Sequence, residues 1–258
     1  MKIALCGLGR AGREVAATIL DKYSDKITIS AIFSRPCSNK IDKDLGDFLN
    51  RPKTGCKVIS IDDTPKIFKE EKIDVVIDFS NHIASMKMMR FCQQYHVSMV
   101  ACTTGYDDKE MQIVKEISQD GSFGLVLATN ITLGVNVLMD LVANAAKKLP
   151  HFDYQVTERH HSLKTDPIST TSINIARSIS EALPKQYKKE IPINAVRAGG
   201  YVGYHEVLMV GENERISIIH ESFSRKAFAE GAIQAAFFIK DHQGLYNMLD
   251  VLNADKAI

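Results

Sequence analysis

The stretch KIALCGLGRAGREVAATIL, residues 2–20, predicts the first structural unit of the chain. Its apolar beginning is typical of a short buried strand, its glycines of a tight turn, and its later apolar residues of a helix. The pattern Gly7-x-Gly9-x-x-Gly12 therefore lies between a strand and a helix. In that position, glycines let the backbone turn and approach a dinucleotide pyrophosphate, to which the helix start offers N–H groups. A purely structural turn is the alternative interpretation.

The same alternation of strand and helix continues to about residue 130. Further strands are expected at 27–33, 72–79, 98–102 and 124–128, with helices at 84–95 and 107–118. The run KIDVVIDF, residues 72–79, is largely apolar, as expected for a strand that a parallel sheet buries on both faces. We therefore predict an α/β fold with a doubly wound parallel sheet for residues 1–130.

From residue 131 the pattern changes. A helix is expected at 134–149, a strand at 152–158, a helix at 172–183, strands at 193–198, 203–210 and 215–223, and a long helix at 225–240. The turn Gly211-Glu212-Asn213-Glu214 joins the last two strands as a hairpin, so these strands are antiparallel. We predict a second, α+β domain over residues 131–240.

The composition is that of a soluble globular protein. The chain has 258 residues, of which 45% are hydrophobic and 24% charged, and its net charge of +1 argues against binding to bulk nucleic acid. No apolar run reaches membrane-spanning length and the N-terminal segment is not a signal peptide, so a cytoplasmic protein is expected. The five scattered cysteines lack metal-site spacing and favour free thiols over disulfides.

The end of the second predicted strand bears on the choice of cofactor. The sequence Phe33-Ser34-Arg35 lacks the acidic residue that binds a ribose 2′-hydroxyl. Arg35 favours a 2′-phosphate instead, through charge-assisted contacts, and a solvated surface arginine is the alternative. NADPH is therefore the predicted cofactor, with NADH as the alternative.

Two later strands are followed by loops of small and hydroxyl residues, Cys102-Thr103-Thr104-Gly105 and Ala128-Thr129-Asn130. Loops at the carboxyl ends of parallel strands line the ligand crevice of such a sheet. Small residues there would let a nicotinamide ring lie against the backbone. Each stretch alone is more often an ordinary turn. Because both follow strands of one sheet, the two together are stronger evidence for a cofactor site.

The segment ERHHSLKTDP, residues 158–167, holds the strongest candidates for chemistry. His160 and His161 can act as general acids because histidine titrates near neutral pH, and Lys164 adds a cation. Ser169-Thr170-Thr171 begins the next helix, where hydroxyls and N–H groups can bind a carboxylate. These features suggest a reductase whose anionic substrate takes up a proton with the hydride. The alternatives are a pair of surface histidines and an ordinary helix N-cap. A metal site is less favoured, because no Cys, Asp or Glu partner lies at ligand spacing.

Over its whole length the chain resembles the 4-hydroxy-tetrahydrodipicolinate reductase family, formerly dihydrodipicolinate reductases, of the diaminopimelate route to lysine. The matching motifs are the glycine turn with Arg10, Ile77-Asp78-Phe79-Ser80, Thr103-Thr104-Gly105, Asn130 with Gly134-Val135-Asn136-Val137, Glu158-x-His160-His161-x-x-Lys164-x-Asp166, Val196-Arg197-Ala198-Gly199, and Ser224-Arg225-x-x-Phe228-Ala229-x-Gly231-Ala232. The His-His-x-x-Lys-x-Asp stretch is the most specific of them.

The resemblance implies an N-terminal Rossmann domain and a C-terminal domain whose mixed sheet builds a homotetramer, with residues 241–258 returning to the first domain. It implies that His160 donates the proton, that His161 and Lys164 bind the substrate's carboxylate region, and that Lys164 shares in proton delivery. The implied cofactor-binding residues are Cys6, Gly7, Leu8, Gly9, Arg10 and Ala11 at the pyrophosphate, Arg35 at the adenosine phosphate, and Thr103, Thr104, Ala128, Thr129, Asn130 and Ile131 at the nicotinamide. From the motifs themselves, Gly12, Ser34 and Cys102 complete the predicted cofactor site.

The chain departs from the family pattern Lys-x-Asp-x-Pro-Ser-Gly-Thr at two positions. Pro167 stands one position early, and Thr170 replaces the glycine whose backbone approaches a substrate carboxylate; Cys6 also replaces a glycine of the family's longer turn. We expect NAD(P)H-dependent reduction of 4-hydroxy-tetrahydrodipicolinate to tetrahydrodipicolinate. The alternatives are a diverged member that reduces a different imine or acts on a different amino acid, and a non-catalytic NADPH-binding regulator.

Overall fold

The structure is a computed structural model that describes residues 1–119 and 121–254. In chain order its strands and helices are β1 (Lys2–Cys6), α1 (Arg10–Lys22), β2 (Thr28–Ser34), α2 (Leu45–Leu49), β3 (Val58–Ser60), α3 (Thr64–Glu70), β4 (Val75–Asp78), α4 (His82–Tyr95), β5 (Ser98–Ala101), α5 (Asp108–Gln119) and β6 (Gly124–Leu127). They continue with α6 (Leu133–Lys148), β7 (Asp153–His160), α7 (Thr170–Ala182), β8 (Ile193–Arg197), β9 (Gly203–Val210), β10 (Arg215–Ser222), α8 (Lys226–Ile239), β11 (Gly244–Tyr246) and α9 (Met248–Asn253).

The chain forms two compact units. The first comprises Met1–Ile131 and the chain from Phe228 onward, and the second comprises Thr132–Ala227. The prediction from sequence assigned residues 131–240 to the second domain, and the structure differs at the end of that range. The helix α8 packs with the first unit because Gly231 lies directly against the Ile131 carbonyl. Of the predicted returning segment 241–258, residues 255–258 lie outside the described residues.

The first unit contains a parallel sheet with strand order β11-β6-β5-β4-β1-β2-β3 in the described residues. All of its pairings are parallel, and β4 is buried along its whole length. A strand so placed must be apolar on both faces, which explains the run at residues 72–79. The chain moves outward from β1 in both directions, so the glycine turn after β1 lies where the strand order reverses.

The second unit contains a mixed sheet with strand order β10-β9-β7-β8 in the described residues. Here β9 is antiparallel to both β7 and β10, whereas β7 and β8 are parallel. The helices α6 and α7 share a core with this sheet that includes Leu138, Ile175 and Val207. The predicted fold class, a doubly wound parallel sheet followed by an α+β domain with a mixed sheet, is confirmed.

The strand β7 carries the sequence DYQVTERH and buries every second residue. Along the buried face, Tyr154 and Val156 belong to the apolar core, whereas Glu158 and His160 continue the face with polar groups. The prediction from sequence ended this strand at residue 158, two residues before His160. The pairing of β7 with β8 and β9 extends the strand, so His160 is held by the sheet.

Candidate active site

The glycine turn between β1 and α1 has the geometry that a dinucleotide site requires. Gly7 has a φ of +91°, and a Cβ there would lie 2.7 Å from the Phe79 carbonyl oxygen. A Cβ at Gly12 would lie 2.0 Å from the Gly7 carbonyl oxygen, so this glycine lets α1 pack against the turn. A Cβ at Gly9, the N-cap of α1, would meet no described atom within 4 Å. The open backbone at Gly9 and the N–H groups that begin α1 fit a pyrophosphate.

A cavity of about 320 Å³ adjoins this turn. The predicted residues that line it are Cys6, Gly7, Leu8, Gly9, Ser34 and Arg35. Lys40, which no sequence motif had indicated, lies in the loop that follows β2 and also lines the cavity. Its Nζ donates to the Leu8 carbonyl oxygen at 2.7 Å, and burial, with the neighbouring charges of Arg13 and Arg35, lowers the pKa of Lys40. The two cations, Arg35 and Lys40, favour an anionic ligand at this cavity.

The predicted nicotinamide loops begin where β5 and β6 end. Buried Thr103 donates from Oγ1 to Asp78 Oδ2 at 2.9 Å. Asp78 is fully buried at the end of β4 and also accepts from the backbone N of Ser80 at 3.0 Å and from its hydroxyl at 2.5 Å. Burial raises the pKa of Asp78 against the effect of these hydrogen bonds. Asp78, which the sequence analysis did not select as a site residue, thus fixes Thr103 at the centre of the sheet.

The remaining predicted cofactor residues differ in exposure. Arg10, Thr104 and Thr129 are exposed, Ala11, Cys102 and Asn130 are half-buried, and Ala128 and Ile131 are buried. The side chains of Ala128 and Ile131 belong to the core, with 2% and 3% of their surface exposed. Only the backbone of these two residues is therefore available to a ligand.

In the second unit, a set of polar side chains gathers around the carboxylate of Glu158. This Glu158 cluster consists of Glu158, Ser169, Ser172, Arg197 and His160. Both serine hydroxyls donate to Glu158 Oε2, and Arg197 Nη2 donates to Oε1 at 2.6 Å. Burial alone would raise the pKa of Glu158, but the neighbouring His160, the two serines and Arg197 outweigh it and hold that pKa well below its ordinary value. Glu158 is therefore a buried carboxylate in its charged form.

His160 lies directly against this charge. Its Nδ1 is 3.6 Å from Glu158 Oε1, an ion-pair distance outside hydrogen-bonding range, and the residue is 9% exposed. The Glu158 carboxylate thus faces this ring nitrogen and fixes the orientation of the imidazole. The cluster therefore suits a group that must carry and release a proton.

The loop after β7 brings Lys164 into the same region. Lys164 Nζ donates to Asp166 Oδ2 at 2.7 Å, which lowers the pKa of Asp166. Arg197 Nη2 also donates to the carbonyl oxygens of Asp166 and Pro167, at 2.9 and 3.0 Å. Arg197, which belongs to a family motif but was not among the predicted site residues, thus ties this loop to the Glu158 carboxylate.

The predicted carboxylate site at the start of α7 is partly occupied by the protein itself. Ser169 is the N-cap of α7, and both its backbone N and its hydroxyl donate to Glu158. Thr170 and Thr171 begin the helix and are exposed and half-buried, respectively. Thr170 needs no left-handed backbone here, so a β-branched residue is accommodated where the family has glycine. Ser169 therefore holds the start of the helix in place, and Thr170 and Thr171 are the residues there that a ligand can reach.

His205 on β9 is a further neighbour, which no sequence motif had indicated. It is 4% exposed and pairs in register with Glu158. One ligand atom from each of Glu158, His160 and His205 lies within 4.8 Å of the others, a spacing that could hold a metal ion. The Glu158 oxygens already accept hydrogen bonds from Arg197 and two serines, and a guanidinium beside a ligand atom opposes cation binding. The prediction of no metal site remains a prediction.

Comparisons with known proteins cover the whole chain. The family model "Dihydrodipicolinate reductase, N-terminus" matches residues 1–131, and "Dihydrodipicolinate reductase, C-terminus" matches residues 134–252. The 4-hydroxy-tetrahydrodipicolinate reductase of Methanocaldococcus jannaschii is 30% identical, covering 99% of this chain and 98% of the relative. That of Caldanaerobacter subterraneus is 39% identical over 71% of this chain and 78% of the relative.

Among solved structures, a dipicolinate-bound dihydrodipicolinate reductase from Paenisporosarcina sp. TG-14 has a TM-score of 0.79 at 23% identity, covering 96% of this chain and 97% of that one. An amine dehydrogenase from Mycobacterium smegmatis has a TM-score of 0.69 at 12% identity, covering 96% and 95%. At such identities these structures support the fold. Among the described residues, none of the helices is both long enough and apolar enough to cross a membrane.

Proposed function

Because the chain belongs to the dihydrodipicolinate reductase family, we propose that it reduces 4-hydroxy-tetrahydrodipicolinate to tetrahydrodipicolinate with NADPH, in the diaminopimelate route to lysine. The observation that carries the proposal is the buried Glu158 carboxylate beside His160, on a strand that continues into the Lys164 loop. This geometry supports His160 as a proton donor and the nearby cation of Lys164 as a binding group for an anionic substrate.

The first unit fits a nicotinamide cofactor. When bound, NADPH supplies the hydride. The glycine turn with Arg10 and the start of α1 would hold the pyrophosphate, Arg35 and Lys40 the 2′-phosphate, and Thr103 with the loop at 128–131 the nicotinamide. The fit rests on the open backbone at Gly9 and on the two cations of the cavity.

In the second unit, His160 acts as the proton donor. Glu158 holds the ring in one orientation, while Arg197 and the two serines keep Glu158 charged. A general acid that is preoriented in this way loses little free energy to reorganisation during proton transfer.

His161, Lys164 and the start of α7 bind the carboxylates of the substrate. Lys164 is paired with Asp166, a side chain that is 66% exposed, so a substrate carboxylate can replace this weak surface partner. The start of α7, at Thr170 and Thr171, carries the positive end of the helix dipole and so favours a carboxylate. Ser169 contributes by positioning this turn, since its own hydroxyl is bound to Glu158.

The alternative functions receive less support. Relatives that match nearly the full length of both chains carry the reductase name, which disfavours a different substrate. A regulator that only binds NADPH would have no need for a charged, buried Glu158 beside His160.

The test is an absorbance assay of NADPH oxidation with 4-hydroxy-tetrahydrodipicolinate generated enzymatically in the cuvette. We expect the wild type to turn over and His160→Gln to lower kcat by roughly 10²–10⁴-fold, the usual contribution of a general acid, at unchanged NADPH affinity. Lys164→Ala should raise KM and lower kcat/KM, because it removes substrate binding.

The matched control is His151→Gln, which changes an exposed histidine before the other end of β7 and should leave kcat unaltered. A His160→Gln enzyme with wild-type kcat would remove the acid assignment. A wild type that binds NADPH but does not oxidise it with this substrate would remove the proposed reaction.

A further inference from the structure

The carboxylate of Asp78 joins the loops that follow β4 and β5 in the first unit. Asp78 is the last residue of β4 and is fully buried. Its Oδ1 accepts from the backbone N and the hydroxyl of Ser80, at 3.0 and 2.5 Å, and its Oδ2 accepts from Thr103 Oγ1 at 2.9 Å. The hydroxyl of Ser85, near the start of α4, hydrogen-bonds the same carboxylate. Four hydrogen bonds from three residues therefore converge on one buried group.

These contacts indicate a role for Asp78 outside the apolar core. The three residues that precede it on β4 are Val75, Val76 and Ile77, and all of them are buried apolar residues. A carboxylate in such a place is costly unless hydrogen bonds stabilise it. The hydrogen bonds that stabilise Asp78 come from residues that follow strands at the carboxyl edge of the sheet, the edge at which such folds bind their ligands. Asp78 therefore acts on the placement of these loops.

The loop after β5 is held at a second point through Ser85. The Ser85 hydroxyl lies 2.7 Å from the Tyr106 hydroxyl. Because the single proton of Ser85 is directed at Asp78, the Tyr106 hydroxyl is the donor in this contact. Thr103 and Tyr106 stand on either side of Thr104, which is exposed. The Asp78 carboxylate thus holds the predicted nicotinamide loop on both sides of a residue that a ligand can reach.

The Ser80 contact connects the same carboxylate to the glycine turn. A Cβ at Gly7 would lie 2.9 Å from Ser80 Cα, so the two stretches of backbone are in close contact. Ser80 also lines the cofactor cavity, together with Gly7. One oxygen of Asp78 therefore holds a residue beside the glycine turn, and the other oxygen holds the nicotinamide loop.

We propose that Asp78 is a positioning residue that sets the nicotinamide loop relative to the glycine turn and so places the nicotinamide ring for hydride transfer. The pyrophosphate and the nicotinamide are covalently joined, so the two stretches of backbone that bind them must stand at a fixed separation. The proposal rests on the proposed function, because it takes the loop after β5 as the nicotinamide site.

The test separates the two ends of the cofactor. Asp78→Asn keeps the shape of the side chain but has one acceptor oxygen, which we expect to stay with the two donors of Ser80, so that the contact with Thr103 is lost. Calorimetry should give the wild-type affinity for adenosine 2′,5′-bisphosphate, which represents the adenosine half of NADPH. Hydride transfer in a single turnover with saturating NADPH should slow by roughly 10²-fold, the cost of a small misplacement of the reacting groups.

Tyr106→Phe tests the other side of the loop and keeps the question open if Asp78→Asn does not fold. It removes only the hydroxyl that contacts Ser85. Hydride transfer should slow by about fivefold, the equivalent of one ordinary hydrogen bond, at unchanged affinity for adenosine 2′,5′-bisphosphate. Ser118→Ala is the matched control, because it removes a buried hydroxyl that bonds within α5 and should leave both quantities unaltered.

Two results would overturn the inference. The first is wild-type hydride transfer in both Asp78→Asn and Tyr106→Phe. The second is a loss of affinity for adenosine 2′,5′-bisphosphate as large as the loss in hydride transfer, because a general weakening of the fold affects both ends of the cofactor site.

The emission of bound NADPH separates this inference from the proposed function. The emission of a reduced nicotinamide depends on how the protein holds the ring, and it is measured without substrate. If the wild type binds NADPH but does not oxidise it with 4-hydroxy-tetrahydrodipicolinate, the proposed reaction fails. In that case an altered NADPH emission in Asp78→Asn, at unchanged affinity for adenosine 2′,5′-bisphosphate, still supports the role of Asp78, and an emission equal to that of the wild type overturns it.

Discussion

At the scale of single residues, the two cations of the cofactor cavity differ in how free each is to bind a phosphate. Lys40 is half-buried and already donates to the Leu8 carbonyl, whereas Arg35 is exposed at the end of β2. Arg35 also has the planar guanidinium that suits bidentate contact with a phosphate. Arg35 should therefore carry most of the preference for NADPH over NADH.

Arg35→Ala is expected to weaken NADPH binding by about 1.5–3 kcal/mol, the loss of a charge-assisted contact, and to leave NADH binding nearly unchanged. Calorimetric titration with both cofactors measures this difference. Arg90→Ala, which removes an exposed arginine from α4, is the control for a general change in surface charge. Equal losses for the two cofactors would mean that Arg35 does not contact the 2′-phosphate.

At the scale of elements, two glycines of the turn between β1 and α1 have different roles: one is needed for packing and the other for ligand binding. Gly12 is required by packing, because a Cβ there would collide with the Gly7 carbonyl. Gly9 has open space at the same point, so its lack of a side chain serves a ligand. The two glycines therefore form a matched pair for mutation.

Gly12→Ala should lower the free energy of unfolding by about 1–3 kcal/mol, as expected for overpacking at a site without room. Gly9→Ala should lower it by less than about 1 kcal/mol, the usual effect at an N-cap, yet weaken binding of both cofactors because its methyl group occupies the approach of the pyrophosphate. Chemical denaturation and fluorescence titration give the two quantities. Equal stability losses with unchanged binding by Gly9→Ala would contradict a cofactor role for the turn.

At the scale of the whole molecule, the outer face of the second sheet is the candidate assembly surface. Val196, Val210 and Ile219 lie on the face opposite Glu158 and are 41%, 41% and 55% exposed. Apolar residues grouped on one sheet face are typical of an interaction surface. This supports the homotetramer that the family resemblance implies, which remains a prediction.

Light scattering at micromolar concentration should give about four times the chain mass of 28.7 kDa. Ile219→Asp should dissociate the assembly, since it places a charge among the exposed apolar residues of this face. Ile83→Asp, at a 71% exposed position on α4, should leave the mass unchanged. A fully active monomeric wild type would exclude the tetramer as the functional form.

The sequence by itself determined the alternation of strands and helices, the glycine turn and the family, because these depend on local periodicity and on short motifs. It could not determine which polar side chains converge. Arg197 bonds to Glu158 across 39 residues of chain, and His205 meets it only through strand register. Only the tertiary structure shows that the Ser169 hydroxyl donates to Glu158, that β7 extends to His160 and that α8 packs on the first unit. These outcomes depend on long-range pairing and burial, which local sequence patterns do not encode.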